Sequence, residues 1–177
     1  GRPWDGHEKV WYADAFVLTE PTAEWLHFED VLPEPLAYGV TLQDGNRMIL
    51  AGGGNAESHT DAIARLSWPG DDLVYMRSVP TLPQPTAFAC GAVVGDWACV
   101  IGGTEAPGST EPISSLSISN LRGGEGAVFR FEPDNVRPRM LAVAGAWNEH
   151  LFLFGGVGLE ERDGSPGTRV YLSDSWK

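Results

Sequence analysis

Glu57 and His59 set a carboxylate and an imidazole two residues apart, a pair that can take a proton from one oxygen and give it to another. Glu105 is a second carboxylate of the same kind. Arg139 is a guanidinium whose planar fork suits a carboxylate ligand, held by two parallel hydrogen bonds. Such a set would perform acid–base chemistry on a sugar that carries an acid group. Gln84 and Arg162 would add polar contacts to the substrate, and Trp4 would offer a face on which a sugar ring can stack. Each of these residues has a plainer use. Arg139 could pair with a neighbouring loop carboxylate, and Glu57, His59 and Glu105 could be solvated loop residues. Arg137 reads as an exposed loop charge, and Trp25 and Trp68 as packing anchors.

Other chemistries lack their residues. No Cys/His spacing suits zinc, and the histidines His7, His27, His59 and His150 are too scattered for a copper centre. No phosphate-cradling glycine loop ending in Lys-Ser or Lys-Thr is present, and no Gly-x-Ser-x-Gly nucleophile elbow.

The elements that must position these residues follow a repeat. Pro35, Pro85 and Pro138 are each followed seventeen residues later by a glycine pair, at Gly52-Gly53, Gly102-Gly103 and Gly155-Gly156. The prolines are 50 and 53 residues apart (85 − 35 and 138 − 85). A repeat of that length marks one four-stranded blade of a β-propeller. Each unit predicts a strand A (37–42, 86–94 and 140–146) and a tight turn at Asp44-Gly45, Gly95-Asp96 or Asn148-Glu149. Strand B follows as Met48–Ala51, Ala98–Ile101 and Leu151–Phe154. These runs are apolar throughout, which predicts burial on both faces between neighbouring blades. Strand C is expected at 12–18, 61–67, 113–119 and 170–176, and strand D at 25–28, 73–79 and 127–131. The fold class is therefore all-β, a single partial propeller of about three and a half blades. Its units are 1–35, 36–85, 86–138 and 139–177. The missing blades would come from the rest of a longer chain or from another subunit.

In a propeller the loops before strand A and after strand B open on one face around the axis. Every candidate residue above falls in one of those loops. Acidic residues outnumber basic ones 24 to 12, giving a net charge of −12 that disfavours nucleic acid as a partner. No apolar run is long enough for a membrane helix, and the first residues do not form a signal peptide. Cys90 and Cys99 fall on two arms of one hairpin, where the register pairs 90 with 101 and 92 with 99. That leaves the two sulfurs as diagonal neighbours, poorly placed for a disulfide.

The repeated strand with its double glycine resembles kelch repeats. A narrower likeness lies in Pro3–Asp14, in Leu32–Gly39, and in Arg137–Met140 with Leu151–Gly156 and Tyr171–Ser175. These segments resemble bacterial N-acetylneuraminate mutarotases of the cyclically permuted branch. The resemblance implies a six-bladed kelch propeller. It implies interconversion of the α and β anomers of sialic acid, outside the cytoplasm, with no metal or cofactor. It also implies a catalytic glutamate and arginine. On that basis Arg139 would hold the substrate carboxylate. Glu57 or Glu105 would carry the proton, with His59 as the alternate. The rival readings are a kelch scaffold for a protein partner and a propeller that binds a sugar without turnover.

Overall fold

Two-residue turns and short apolar strands build the molecule from antiparallel hairpins. The structure, a computed structural model, describes residues 9–70, 72–78, 81–122 and 128–177. The described part of the first unit is a two-stranded ribbon, β1 (Ala15–Val17) with β2 (Leu26–Phe28). The second is a complete four-stranded blade of β3 (Val40–Asp44), β4 (Arg47–Ala51), β5 (Ile63–Ser67) and β6 (Val74–Ser78), paired in that order. The third repeats it with β7 (Cys90–Val94), β8 (Trp97–Ile101), β9 (Leu116–Asn120) and β10 (Val128–Phe131). The fourth begins with β11 (Val143–Trp147) and β12 (His150–Phe154). A separate hairpin follows, β13 (Val157–Arg162) with β14 (Ser165–Tyr171), and then β15 (Ser175–Trp176) pairs with β12. This is a β-propeller architecture of about three and a half blades. No helix among the described residues is long and apolar enough to cross a membrane.

The turns follow their chemistry, although the second blade turns at Gly45-Asn46, one residue later than expected, with Asp44 in β3 opposite Arg47. Gly45 and Gly95, at φ 59° and 56°, take the first position of their two-residue turns, where a type II′ hairpin needs glycine. Asn148 and Glu149, both at positive φ, form a type I′ turn, as do Asp163 and Gly164. The cysteine hairpin has the expected register, Cys90 opposite Ile101 and Ala92 opposite Cys99. Both cysteines are free and buried. Burial pushes the Cys90 thiol up to about 11, against the opposing pull of the Arg139 charge.

Strand C of the fourth blade differs from expectation. It was expected at 170–176, but residues up to Tyr171 belong to the hairpin and only Ser175–Trp176 joins the blade. The segment after Gly155-Gly156, expected as a loop from its place after strand B, is this hairpin. Asp163-Gly164 at its tip supplies the turn.

The double-sided burial expected of the B strands is complete in β8. Ala98 and Val100 face the second blade and join Val40, Leu42, Ile49 and Ala51 in one core cluster. Ile101 faces the fourth blade and packs with Cys90 and Leu153 in another. Burial in β12 is one-sided. Leu153 is buried, yet Phe154 beside it is 48% exposed. Val143 and Trp147 of β11 are 66% and 73% exposed, because no described blade covers that outer face.

Neighbouring blades are tied together near the axis by backbone hydrogen bonds. Gly53 N–H donates to Thr86 O, and Gly103 N–H to Arg139 O, each at 2.8 Å. Phe88 N–H donates to Tyr38 O at 2.9 Å and Leu141 N–H to Phe88 O at 2.8 Å. Tyr38, Phe88 and Leu141 occupy the same repeat position, and all three have left-handed φ, 63°, 61° and 54°. The glycine pairs serve this close approach. A Cβ on Gly102, at φ 72°, would collide with the Arg139 carbonyl. Gly102→Ala is accordingly expected to cost about 3 kcal/mol. A urea titration checks this: the midpoint should fall while the slope stays unchanged.

Candidate functional site

The inter-blade ties place three repeat loops and the extra hairpin around one cleft of about 590 Å³ at the axial face. Its floor is aromatic. The rings of Tyr38 and Phe88 stack with centroids 4.4 Å apart, held by their shared backbone bond and left-handed φ. Lys9 reaches over this floor, its Nζ 3.4 Å from the Tyr38 hydroxyl and 5.9 Å from the ring centroid. Arg169 on β14, opposite Leu159 on β13, lines the far wall. It has no carboxylate partner among the described residues. Trp11 also lines the cleft, with its indole N–H turned into the protein. That N–H is buried and has no acceptor among the described residues.

His59 enters from the loop after β4. That loop is fixed from within: Asn55 Oδ1 accepts from the Glu57 and Ser58 N–H groups at 2.9 and 3.1 Å, and Thr60 N–H donates to Gly53 O at 2.9 Å. The His59 ring sits edge-on to Phe88, with centroids 5.8 Å apart, and its Nδ1 lies 2.9 Å from Thr104 O of the third blade.

The charge of the described lining runs against that of the chain. No Asp or Glu is among the described residues that line it, whereas Lys9 and Arg169 are. The whole sequence carries a net charge of −12. Two cations beside an aromatic floor form a site for an anion with a face to stack.

Among the residues expected from sequence, His59 lines this cleft. Glu57 lies in the same loop but is exposed, and it contributes its backbone N–H rather than its carboxylate. Glu105 and Gln84 line a neighbouring hollow of about 440 Å³ with Arg130. There the Gln84 Oε1 accepts from Arg130 Nη1 at 2.9 Å. Arg162 is exposed near the hairpin tip, 3.6 Å from Glu160, which also pairs with Arg137. Trp4 lies outside the described residues.

Arg139 does not face the cleft. Its side chain is 1% exposed and its guanidinium is committed to the protein. It grips Asp174 through two bonds of 2.7 and 2.8 Å, and it donates to Gly155 O at 2.8 Å and Arg137 O at 3.0 Å. The ion-pair alternative is the observed one. The hydrogen bonds from Arg139 hold the Asp174 carboxyl well below the usual carboxylate range. Burial opposes this, and a bond from Trp176 Nε1 assists.

Lys9, Trp11, Tyr38, Phe88 and Arg169 were not singled out from sequence. A signal for two of them was present. Tyr38 and Phe88 each stand three residues after a repeat proline, at the point where strand A approaches the axis.

No protein-family model matches the chain. Over 69 residues it is 38% identical to the N-acetylneuraminate epimerase of Yersinia enterocolitica. The chain resembles the N-acetylneuraminate epimerases. The matched stretch covers 38% of this chain and 17% of that protein. The epimerase of the same name from Yersinia pestis is 36% identical over the same length and shares. The chain thus matches less than a fifth of the length of these curated relatives. The solved structure of YjhT superimposes with a TM-score of 0.64 at 18% identity, over 85% of this chain and 45% of that one. That likeness shows the fold, a kelch-type β-propeller of which this chain supplies part.

Proposed function

We propose that the axial cleft is the substrate site of an isomerase that interconverts the anomers of a sugar acid, N-acetylneuraminate. One observation carries this reading: in an acidic chain, the described lining of the cleft contains two cations and no carboxylate. The carboxylate of the sugar would meet Arg169 and Lys9, and its ring would lie against the Tyr38 and Phe88 floor. The resemblance to the N-acetylneuraminate epimerases supports the choice of sugar.

Anomer exchange needs a proton acceptor for the anomeric hydroxyl and a proton for the ring oxygen. The ring opens to a ketone, the carbon–carbon bond beside it rotates, and the ring recloses on the other face. The reading carries with it an extracytoplasmic setting. It also requires closure by further blades, from a longer chain or another subunit, over the open face at Val143 and Trp147.

Proton NMR exchange spectroscopy on an equilibrium mixture of the two anomers tests it. The complete protein is expected to accelerate exchange well beyond the spontaneous rate. Binding without acceleration would instead make this a carbohydrate-binding propeller. No binding at all would turn attention to a scaffold for a protein partner.

A further inference from the structure

We propose that His59 carries the proton in ring opening, with Nε2 as the acceptor. This rests on the reading of the cleft as a site of sugar-acid anomer exchange. Thr104 O can only accept a hydrogen bond, so the Nδ1 that approaches it at 2.9 Å is the protonated nitrogen. In the neutral ring Nε2 then holds the lone pair. The opposite edge of the ring, at Cδ2, packs against Gly54, where an added Cβ would come within 2.5 Å. With Nδ1 and Cδ2 both engaged, the Cε1–Nε2 edge is what remains to line the cleft, and among the described residues nothing pairs with Nε2.

The arrangement is stiff. The loop closes through the Gly54–His59 bridge, and Phe88 braces the ring from the axis. The hydrogen bond to Thr104 ties it to a loop of the neighbouring blade, 45 residues along the chain. A fixed tautomer with a free lone pair is the arrangement a general base requires. The competition is weak, because Lys9 and Arg169 are cations and the described lining has no carboxylate.

The step balances without any other protein group. Nε2 takes the proton of the anomeric hydroxyl, and that O–H electron pair becomes the new carbonyl bond. The bond from the anomeric carbon to the ring oxygen breaks, its electron pair leaving on the ring oxygen. The imidazolium then returns the same proton to that oxygen. Both oxygens start on one carbon, so one nitrogen can serve both. Reclosure after rotation runs the steps backwards on the other face.

The test compares the complete wild-type protein with His59→Gln by anomer-exchange NMR, together with nitrogen-15 NMR of the wild-type histidines. The expected turnover is about a hundredfold slower in His59→Gln, with the dissociation constant for N-acetylneuraminate changed less than about threefold. Added imidazole should restore part of the rate. The wild-type spectrum should show His59 protonated on Nδ1. If wild type accelerates exchange and His59→Gln keeps pace, the role of His59 is overturned and the isomerase reading stands. An Nε2-protonated His59 would overturn it equally, even if the variant failed to fold. If wild type does not accelerate exchange, the isomerase reading itself fails and takes this role with it.

Discussion

Arg139→Ala is expected to lower the stability of the folded chain by about 3 kcal/mol while leaving sugar affinity unchanged. The side chain is 1% exposed and makes four charge-assisted hydrogen bonds. Truncation strands the carbonyls of Arg137 and Gly155 and strips Asp174 of its counter-ion. Asp174 is about one-third exposed and keeps its bond from Trp176, which holds the loss to the lower end of what a broken buried pair costs. Lysine should not rescue, because a single ammonium cannot span both oxygens of Asp174 and the two carbonyls. Urea denaturation measures the loss. A titration with N-acetylneuraminate, at a temperature where the variant is folded, measures the affinity. A large loss of affinity in folded Arg139→Ala would return this arginine to the substrate.

The same pair sets a pH dependence. Asp174 is held below its ordinary value in the folded chain, so its contribution to stability is complete above the pKa of the unfolded carboxyl, about 3.9. It is lost as pH falls from there through the lower folded value. The gap between wild type and Arg139→Ala should therefore be flat from neutral to mildly acidic pH and narrow only in stronger acid.

The second large effect is expected at Arg169. Its guanidinium borders the cleft with no carboxylate partner among the described residues, so a bound carboxylate would be its first ionic contact there. A charge-assisted hydrogen bond of this kind contributes about 1.5–3 kcal/mol. Arg169→Ala should then weaken N-acetylneuraminate binding by roughly tenfold to a hundredfold. Because the side chain is exposed and forms no internal pair among the described residues, the fold should be nearly indifferent to its loss. Lys9→Ala should produce a smaller drop in the same direction, and raised salt should blunt both. An uncharged sugar of similar size should bind wild type and Arg169→Ala alike. Equal affinity of wild type and variant for the sugar acid would remove the carboxylate from this end of the cleft.

The blade is written in local sequence. The proline-to-double-glycine spacing, the turns at Gly45 and Gly95 and the apolar B strands are local features. Strand alternation and turn chemistry act within a few residues, which is why the Cys90–Ile101 register could be counted in advance. The hairpin 157–171 was half legible: Asp163-Gly164 announces a turn, but its charged arms alternate too weakly to announce strands.

Membership of the cleft was beyond reach of such local signals. Lys9, Tyr38, His59, Phe88 and Arg169 come from every unit of the chain and meet because the blades are tied edge to edge around an axis. The fate of Arg139 was likewise a tertiary matter. From sequence it had two uses, and the choice depended on Asp174, 35 residues away, being delivered to its guanidinium by β15 joining β12. Glu105 and His59 follow glycine pairs in neighbouring units, yet only His59 reaches the axial cleft, because its loop closes back on Gly54 while Glu105 turns outward to the hollow beside Arg130. The repeat specifies which loops share a face. Loop closure and inter-blade hydrogen bonds then decide which side chains on that face point inward.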